Sequence, residues 1–131
     1  MKFYRIERWC YKHRLKFLAK VINRFIYLQF NCSIPYTTHI ESNVKIAHGI
    51  GIVIHQNSVI GEETVIYQNV TIGNGMGPKI GKNCIVGSRA CVLRDIVSGD
   101  NVKIGDNSVV LKDVLGNCTV LGVPAKIIKR N

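Results

Sequence analysis

One histidine lies in a segment whose composition could expose its ring to a substrate. His48 belongs to the stretch AHGIGIVI (residues 47–54), in which glycines alternate with aliphatic residues. An imidazole titrates near neutral pH, so it can take a proton from a hydroxyl group and later return one to a leaving group. A lone histidine, however, more often only makes a structural hydrogen bond. The residue type alone leaves both alternatives open.

The other residues with reactive or metal-binding side chains show no functional spacing. His13, His39 and His55 lack comparable surroundings, and we expect them to be structural or exposed. The five cysteines are an odd number without a C-x-x-C pair, which favours neither a disulfide framework nor a zinc site. We therefore expect no metal and reduced thiols in a cytoplasmic protein. The N-terminus lacks a signal-peptide pattern, and no apolar run is long enough to span a bilayer.

The elements that position His48 are indicated by a six-residue repeat. Aliphatic residues recur at this interval, and a small or β-branched residue follows four positions later. This period fits neither a helix nor an ordinary strand, but it is typical of a triangular solenoid with three short strands per coil. Two longer intervals, at 52–60 and 72–80, interrupt the repeat, and GNGMGPKI in the second predicts a loop. The repeating positions are Ile34, Ile40, Ile46, Ile52, Ile60, Ile66, Ile72, Ile80, Val86, Val92, Ser98, Ile104 and Val110.

The segment 1–31 differs from the rest of the chain, and we assign it as a basic amphipathic helical region before a solenoid domain at 32–131. The formal charge of the chain is +10, and eight of its cations lie in this segment against Glu7 alone. A helical spacing of apolar residues predicts one helix with a single buried stripe. This helix could pack on the solenoid, contact an anionic membrane surface, or do both. No motif supports binding to nucleic acid. The stripe consists of Tyr11, Leu15, Leu18, Ile22 and Phe25.

The repeat region resembles the left-handed β-helix acetyltransferases. The resemblance rests on HGIGIVI, VIGEETVIYQNVTIG, PKIGKNCIVGSRACVL, KIGDNSVVLKDV and GVPAKIIKR, and it covers about residues 34–130. Within this group the chain is similar to the serine acetyltransferase branch and its relatives in capsule and lipopolysaccharide biosynthesis. The resemblance implies an all-β solenoid, a left-handed parallel β-helix of about five coils with an N-terminal α-helix. It also implies a homotrimer that binds acetyl-CoA between neighbouring chains.

The resemblance further implies roles for individual residues. His48 matches the position of the general base of the serine acetyltransferases, and Asp106 stands where they have alanine. The positions expected to line the path of the pantetheine arm are Gly87, Ser88, Ala90, Gly105, Asp106 and Pro124. The cations expected to bind the phosphates of CoA are Lys112, Lys126, Lys129 and Arg130.

Four positions depart from the serine acetyltransferase pattern at the expected acceptor site. Ser33 replaces the acidic residue that orients the catalytic ring, and Ala47 replaces an aspartate that contacts the amino acid. Met76 and Gly77 replace an Arg-His pair that serves its carboxylate. A zwitterionic acceptor needs charged partners, so we expect a sugar hydroxyl of a polysaccharide or its lipid-linked precursor at the inner membrane surface. Serine O-acetylation and a non-catalytic scaffold are the alternatives.

Overall fold

The computed structural model describes all residues from 1 to 131, which form two helices followed by fourteen short strands. The helices are α1 (Lys2–Lys12) and α2 (Lys16–Phe30). The strands are β1 (His39–Ile40), β2 (Lys45–Ile46), β3 (Val53–Ile54), β4 (Val59–Ile60), β5 (Val65–Ile66), β6 (Thr71–Gly73), β7 (Lys79–Ile80), β8 (Ile85–Val86), β9 (Cys91–Leu93), β10 (Val97–Ser98), β11 (Lys103–Ile104), β12 (Val109–Val110), β13 (Cys118–Gly122) and β14 (Ala125–Arg130).

The strands form three parallel sheets, which are the three faces of a solenoid. The first face has the order β1-β4-β7-β10, and the third has the order β3-β6-β9-β12. The second face runs β2-β5-β8-β11-β13, and β14 pairs antiparallel with β13 at its end. Each strand from β1 to β9 pairs with the strand three places later, so the predicted parallel β-helix is confirmed.

The solenoid has about four coils, not the five expected from the length of the repeat region. Residues 32–38 contribute only an isolated bridge between Ser33 and Val53 instead of a first coil. At the other end, β13 and β14 form a hairpin that covers the last coil, so the tail closes the edge instead of extending it. The residues at both ends of the repeat region therefore cap the solenoid.

An aliphatic column fills the centre of the solenoid. Ile60, Ile66 and Ile72 occupy the three faces of one coil, and none of them exposes any surface. The small or β-branched residues four positions later in the repeat are also buried, as the sequence predicts. They pack at the corners, where the chain turns from one face to the next. These corner residues are Thr64, Val70, Cys84, Ala90, Val102 and Ser108.

The position of the first insertion in the repeat differs from the prediction. Ile54, not Ile52, lies on a strand in register with Ile72, and the preceding inward residue is Ile46. The two extra residues therefore fall between 46 and 54, and Ile52 takes the buried corner place instead. The repeat could not show this, because Ile52 and Ile54 are equally aliphatic. The predicted loop at 72–80 is confirmed, since no strand lies between Gly73 and Lys79.

The basic N-terminal segment forms a helical hairpin, so the prediction of one helix is wrong. Arg14 adopts a left-handed conformation with a φ of 63° and separates α1 from α2. The break changes the helical phase, so the predicted stripe is not the buried face. Tyr11, Leu15, Leu18 and Phe25 are all more than a third exposed, and Ile22 is half-buried. The residues that are buried instead are Tyr4, Glu7, Cys10, Ala19 and Ile26.

Polar side chains fix the helical hairpin to residues 34–38, which precede the first strand. The Tyr4 hydroxyl donates to the carbonyl of Thr38 at 2.5 Å, and the Asn23 side chain donates to the carbonyl of Ile34 at 3.0 Å. Arg8 donates to the carbonyl of Tyr36 at 3.2 Å. Neither helix has the length and the apolar run needed to cross a membrane. Contact of the hairpin with an anionic membrane surface stays a prediction.

One carboxyl group is buried between the helices. Glu7 exposes no surface, and neither of its carboxyl oxygens has a hydrogen-bond partner. Burial raises the pKa of Glu7 to about 8, and the nearby Asn23 side chain lowers it only in part. At neutral pH this side chain is therefore mostly protonated and uncharged.

Candidate active site

His48 lies on a two-residue bulge at a corner of the solenoid. The backbone N–H of Ala47 donates to the carbonyl of Ile66 at 2.9 Å, and that of Asn69 donates to the carbonyl of Ile50 at 2.9 Å. His48 and Gly49 lie between these two rungs, so they are the inserted residues. His48 has a φ of 53°, and its side chain is exposed. The irregular spacing of the repeat thus presents the imidazole outside the coil.

Gly51 lies where the backbone leaves the bulge. Gly51 has a φ of 67°, a left-handed conformation that L-residues rarely adopt. A Cβ atom at this position would also lie 2.2 Å from Oδ1 of Asn69 in the next coil. Asn69, Arg89 and Asn107 adopt the same left-handed conformation at the matching position of the later coils, so the backbone has resumed the regular corner at Gly51.

A groove of about 570 Å³ extends from His48 along the second face. Gln68, Ser88 and Asp106 lie at the same corner in successive coils, each two residues after an inward-facing aliphatic residue. The backbone N–H of Ser88 donates to Oδ1 of Asp106 at 2.7 Å, which links two of these coils. The complete lining consists of His48, Tyr67, Gln68, Ile85, Gly87, Ser88, Lys103, Ile104, Gly105, Asp106 and Thr119.

The structure brings together part of the expected coenzyme set. Gly87, Ser88, Gly105 and Asp106 all line the groove that contains His48. A Cβ atom on Gly87 would lie 2.5 Å from Oδ1 of Asp106, so the glycine keeps the wall of the groove thin. Ala90 is fully buried behind this wall. The expected residues that do not line the groove are Ala90, Lys112, Pro124, Lys126, Lys129 and Arg130.

Cations lie where the second face continues beyond the groove. Lys129 and Arg130 of β14 line an adjacent cleft, which shares Ile85 and Lys103 with the His48 groove. The groove and the cleft are therefore continuous on one face. A long ligand with an anionic end could extend from His48 to these cations.

The four positions expected at the acceptor site do not line the His48 groove. Ser33 lines a separate pocket of about 310 Å³ with Lys20, Asn23, Arg24, Tyr27 and Tyr36. Ala47 is half-buried at the start of the bulge. Met76 is 77% exposed on its loop. Gly77 has a φ of 99°, and a Cβ atom there would lie 2.6 Å from the backbone of Asn57.

His48 is the one histidine whose ring makes no hydrogen bond. Nδ1 of His13 lies 2.9 Å from the carbonyl of Trp9, and Nδ1 of His39 lies 3.1 Å from Nη2 of Arg8. Nδ1 of His55 accepts from the backbone N–H of Asn57 at 3.2 Å. Each of these three rings has a local partner, whereas the ring of His48 is available to a ligand.

Sequence reasoning missed several groove residues, of which Gln68 is the most informative. Gln68 follows Ile66 by two positions, as Ser88 follows Val86 and Asp106 follows Ile104. This shared position, two residues after an inward-facing aliphatic residue, is the sequence pattern from which Gln68 could have been predicted. Tyr67, Lys103 and Thr119 had no comparable signal, because outward-facing residues on strands vary freely in type.

Comparison with known proteins identifies the family. No protein-family model matches the chain. Over 98% of its length, however, it is 35% identical to a serine acetyltransferase from Helicobacter pylori (strain ATCC 700392 / 26695), of which it covers 78%. The chain belongs to the serine acetyltransferase family. It is also 36% identical to the serine acetyltransferase of Synechococcus elongatus, of which it covers 55%. The chain thus spans little more than half of some of its relatives.

Solved serine acetyltransferases share the architecture of this family member. A serine O-acetyltransferase from Brucella melitensis superposes with a TM-score of 0.94 at 33% identity, over 99% of this chain and 54% of that one. A serine acetyltransferase in complex with CoA gives a TM-score of 0.91 at 35% identity, over 96% and 54% of the two chains. Both matches extend over the helical hairpin as well as the coils.

These relatives overturn the expected saccharide acceptor and the assignment to capsule and lipopolysaccharide biosynthesis. Proteins about 35% identical over nearly the whole chain are serine acetyltransferases. The expectation rested on the absence of charged residues at positions 47, 76 and 77. The absence of these charged residues removes contacts that could bind an amino acid, but it does not create a binding surface for a sugar. The inference from absence was therefore wrong.

Proposed function

We propose that this chain transfers an acetyl group from acetyl-CoA to the hydroxyl of serine, with His48 as the general base. The similarity to serine acetyltransferases over 98% of the chain carries this proposal. The exposed ring of His48 at the head of a long groove supports it.

The proposed reaction uses the imidazole of His48 twice. Its unprotonated ring nitrogen takes the proton from the serine hydroxyl while the hydroxyl oxygen attacks the thioester carbonyl carbon. A tetrahedral oxyanion forms, and its collapse breaks the C–S bond. The imidazolium then returns the proton to the departing sulfur, giving O-acetylserine and CoA with the histidine restored. No other group needs to change its protonation state.

We propose that acetyl-CoA lies along the second face with its thioester at His48. The small residues Gly87 and Gly105 leave room for the pantetheine arm beside the coil. Lys103, Lys129 and Arg130 then face the phosphates at the nucleotide end. Ser88 and Asp106 lie between these two ends, where polar groups of the arm pass. Lys112, Pro124 and Lys126 do not line this groove, and their contact with the coenzyme stays a prediction.

We also propose the homotrimer that the family resemblance implies. The residues of the groove lie on the outer side of the second face, and Ile85 there is 36% exposed. A neighbouring chain against this face would form the opposite wall of the groove and enclose the acyl donor. Light scattering coupled to size-exclusion chromatography should give three times the chain mass of 14.7 kDa. A monomer that is fully active would refute the trimeric site.

The test of the proposed function is an acceptor screen with matched variants. Release of CoA from acetyl-CoA is followed with a thiol reagent in the presence of L-serine or a panel of sugars and oligosaccharides. We expect L-serine to drive release and His48→Ala to reduce it by about 10²- to 10⁴-fold. His55→Ala is the control, because its ring has a local partner at another corner. Binding of acetyl-CoA without turnover of serine would contradict the proposal.

A further inference from the structure

Two polar groups without hydrogen-bond partners line the groove at the corner that carries His48. The ring of His48 makes no hydrogen bond, although both of its nitrogens are able to make one. Oε1 of Gln68, in the next coil, is buried and has no donor. A buried acceptor without a donor is costly, so such groups usually have a partner in the functional state.

The fold places these two residues at the same corner in adjacent coils. His48 bulges out between the rungs that join Ala47 to Ile66 and Ile50 to Asn69. The backbone of Gln68 lies in the coil directly beneath this bulge, and neighbouring strands are about 4.8 Å apart. Both side chains line the same groove.

The chemistry of the two groups is complementary. The carbonyl oxygen of an amide can only accept a hydrogen bond, and a neutral imidazole carries one N–H donor. If this donor is bound to Gln68, the other ring nitrogen is unprotonated and can act as a base. The fixed partner of one nitrogen thereby determines the state of the other.

We infer that Gln68 is a positioning residue, whose Oε1 accepts a hydrogen bond from the ring N–H of His48 and directs the basic nitrogen towards the acceptor hydroxyl. Ser33, at the position expected to orient the ring, lines a different pocket. Gln68 therefore supplies the oriented oxygen that this chain lacks at residue 33. The catalytic consequence rests on the proposed function, whereas the hydrogen bond itself does not.

The hydrogen bond is tested without any measurement of activity. Nitrogen-15 NMR of the histidine rings distinguishes which nitrogen carries the proton in neutral His48. We expect one dominant tautomer in the wild-type protein with bound CoA and a mixture of both in Gln68→Leu. Gln56→Leu is the matched control, because Gln56 is exposed at a different corner. The same tautomer populations in the wild type and in Gln68→Leu would overturn the inference.

The kinetic test separates positioning from substrate binding. Gln68→Leu should lower kcat by about 10- to 100-fold while the KM for acetyl-CoA changes less than about twofold. Gln68→Glu keeps an acceptor oxygen and should restore most of kcat. Its carboxylate should also move the acidic limb of the kcat/KM profile upward by about one pH unit. A higher KM for acetyl-CoA with an unchanged kcat would overturn the inference in favour of a contact with the acyl donor.

Discussion

The buried carboxyl group of Glu7 should make the stability of the helical hairpin depend on pH. Its pKa rises from an ordinary 4.5 to about 8 in the folded chain, because burial disfavours the charged form. Between these values the folded state binds more protons than the unfolded state. The free energy of unfolding therefore falls as the pH rises from about 4.5 to about 8. Glu7→Gln keeps the shape of the side chain and removes the titration.

The magnitude follows from the difference between the two pKa values. At about 1.4 kcal/mol per pH unit, full ionisation costs the wild type on the order of 5 kcal/mol. This is an upper limit, because local opening of the hairpin would let water reach the carboxylate. Glu7→Gln should thus be about as stable as the wild type at pH 5 and several kcal/mol more stable at pH 8.5.

Urea unfolding followed by circular dichroism between pH 5 and pH 8.5 measures this effect. Other titrating groups contribute equally to both proteins, so they cancel in the difference between variant and wild type. Glu63→Gln is the control, because Glu63 is an exposed glutamate outside the helical hairpin. Parallel pH profiles for Glu7→Gln and the wild type would refute the assignment of a buried, neutral Glu7.

Three further substitutions test the coil, the bulge and the acyl-donor groove. Ile66→Ala removes a fully buried side chain from the central column and should lower the free energy of unfolding by about 2–5 kcal/mol in urea titrations; a loss below about 1 kcal/mol would contradict the packing. Gly51→Ala should cost at least about 1–2 kcal/mol through its left-handed backbone and should lower kcat by displacing His48; unchanged kinetics would show that the bulge does not position the ring. Lys103→Ala should raise the KM for acetyl-CoA several-fold without changing kcat. A KM equal to that of the wild type would show that Lys103 does not bind the acyl donor.

The fold was largely predictable from the sequence because the solenoid repeats one local requirement. Every sixth residue must face inward, so Ile60, Ile66 and Ile72 indicate the coil without knowledge of distant contacts. The ends were less predictable, since neither Ile34 nor Val120 reveals whether it begins another coil or joins a cap. The helical break at Arg14 was also missed. A residue other than glycine that adopts the left-handed backbone conformation cannot be recognised from its type in the sequence.

The site was predictable only in part. The resemblance indicated His48, and its surroundings of glycine and isoleucine agree with an exposed bulge. The phase of the insertion was misplaced, because Ile52 and Ile54 are chemically alike and only the register distinguishes them. Gln68 was missed because a polar residue at a corner is ordinary in a solenoid. Its significance comes from an acceptor oxygen that is buried without a donor, and burial of this kind is visible only in the structure.

The most direct test of serine acetylation is identification of the product under competition. Acetyl-CoA with a carbon-13-labelled acetyl group is incubated with the wild type or His48→Ala and an equimolar mixture of L-serine and saccharides. Mass spectrometry then locates the label. We predict labelled O-acetylserine with the wild type and a loss of about 10²-fold or more with His48→Ala. Label on a saccharide, or equal labelling of serine by both proteins, would contradict the account.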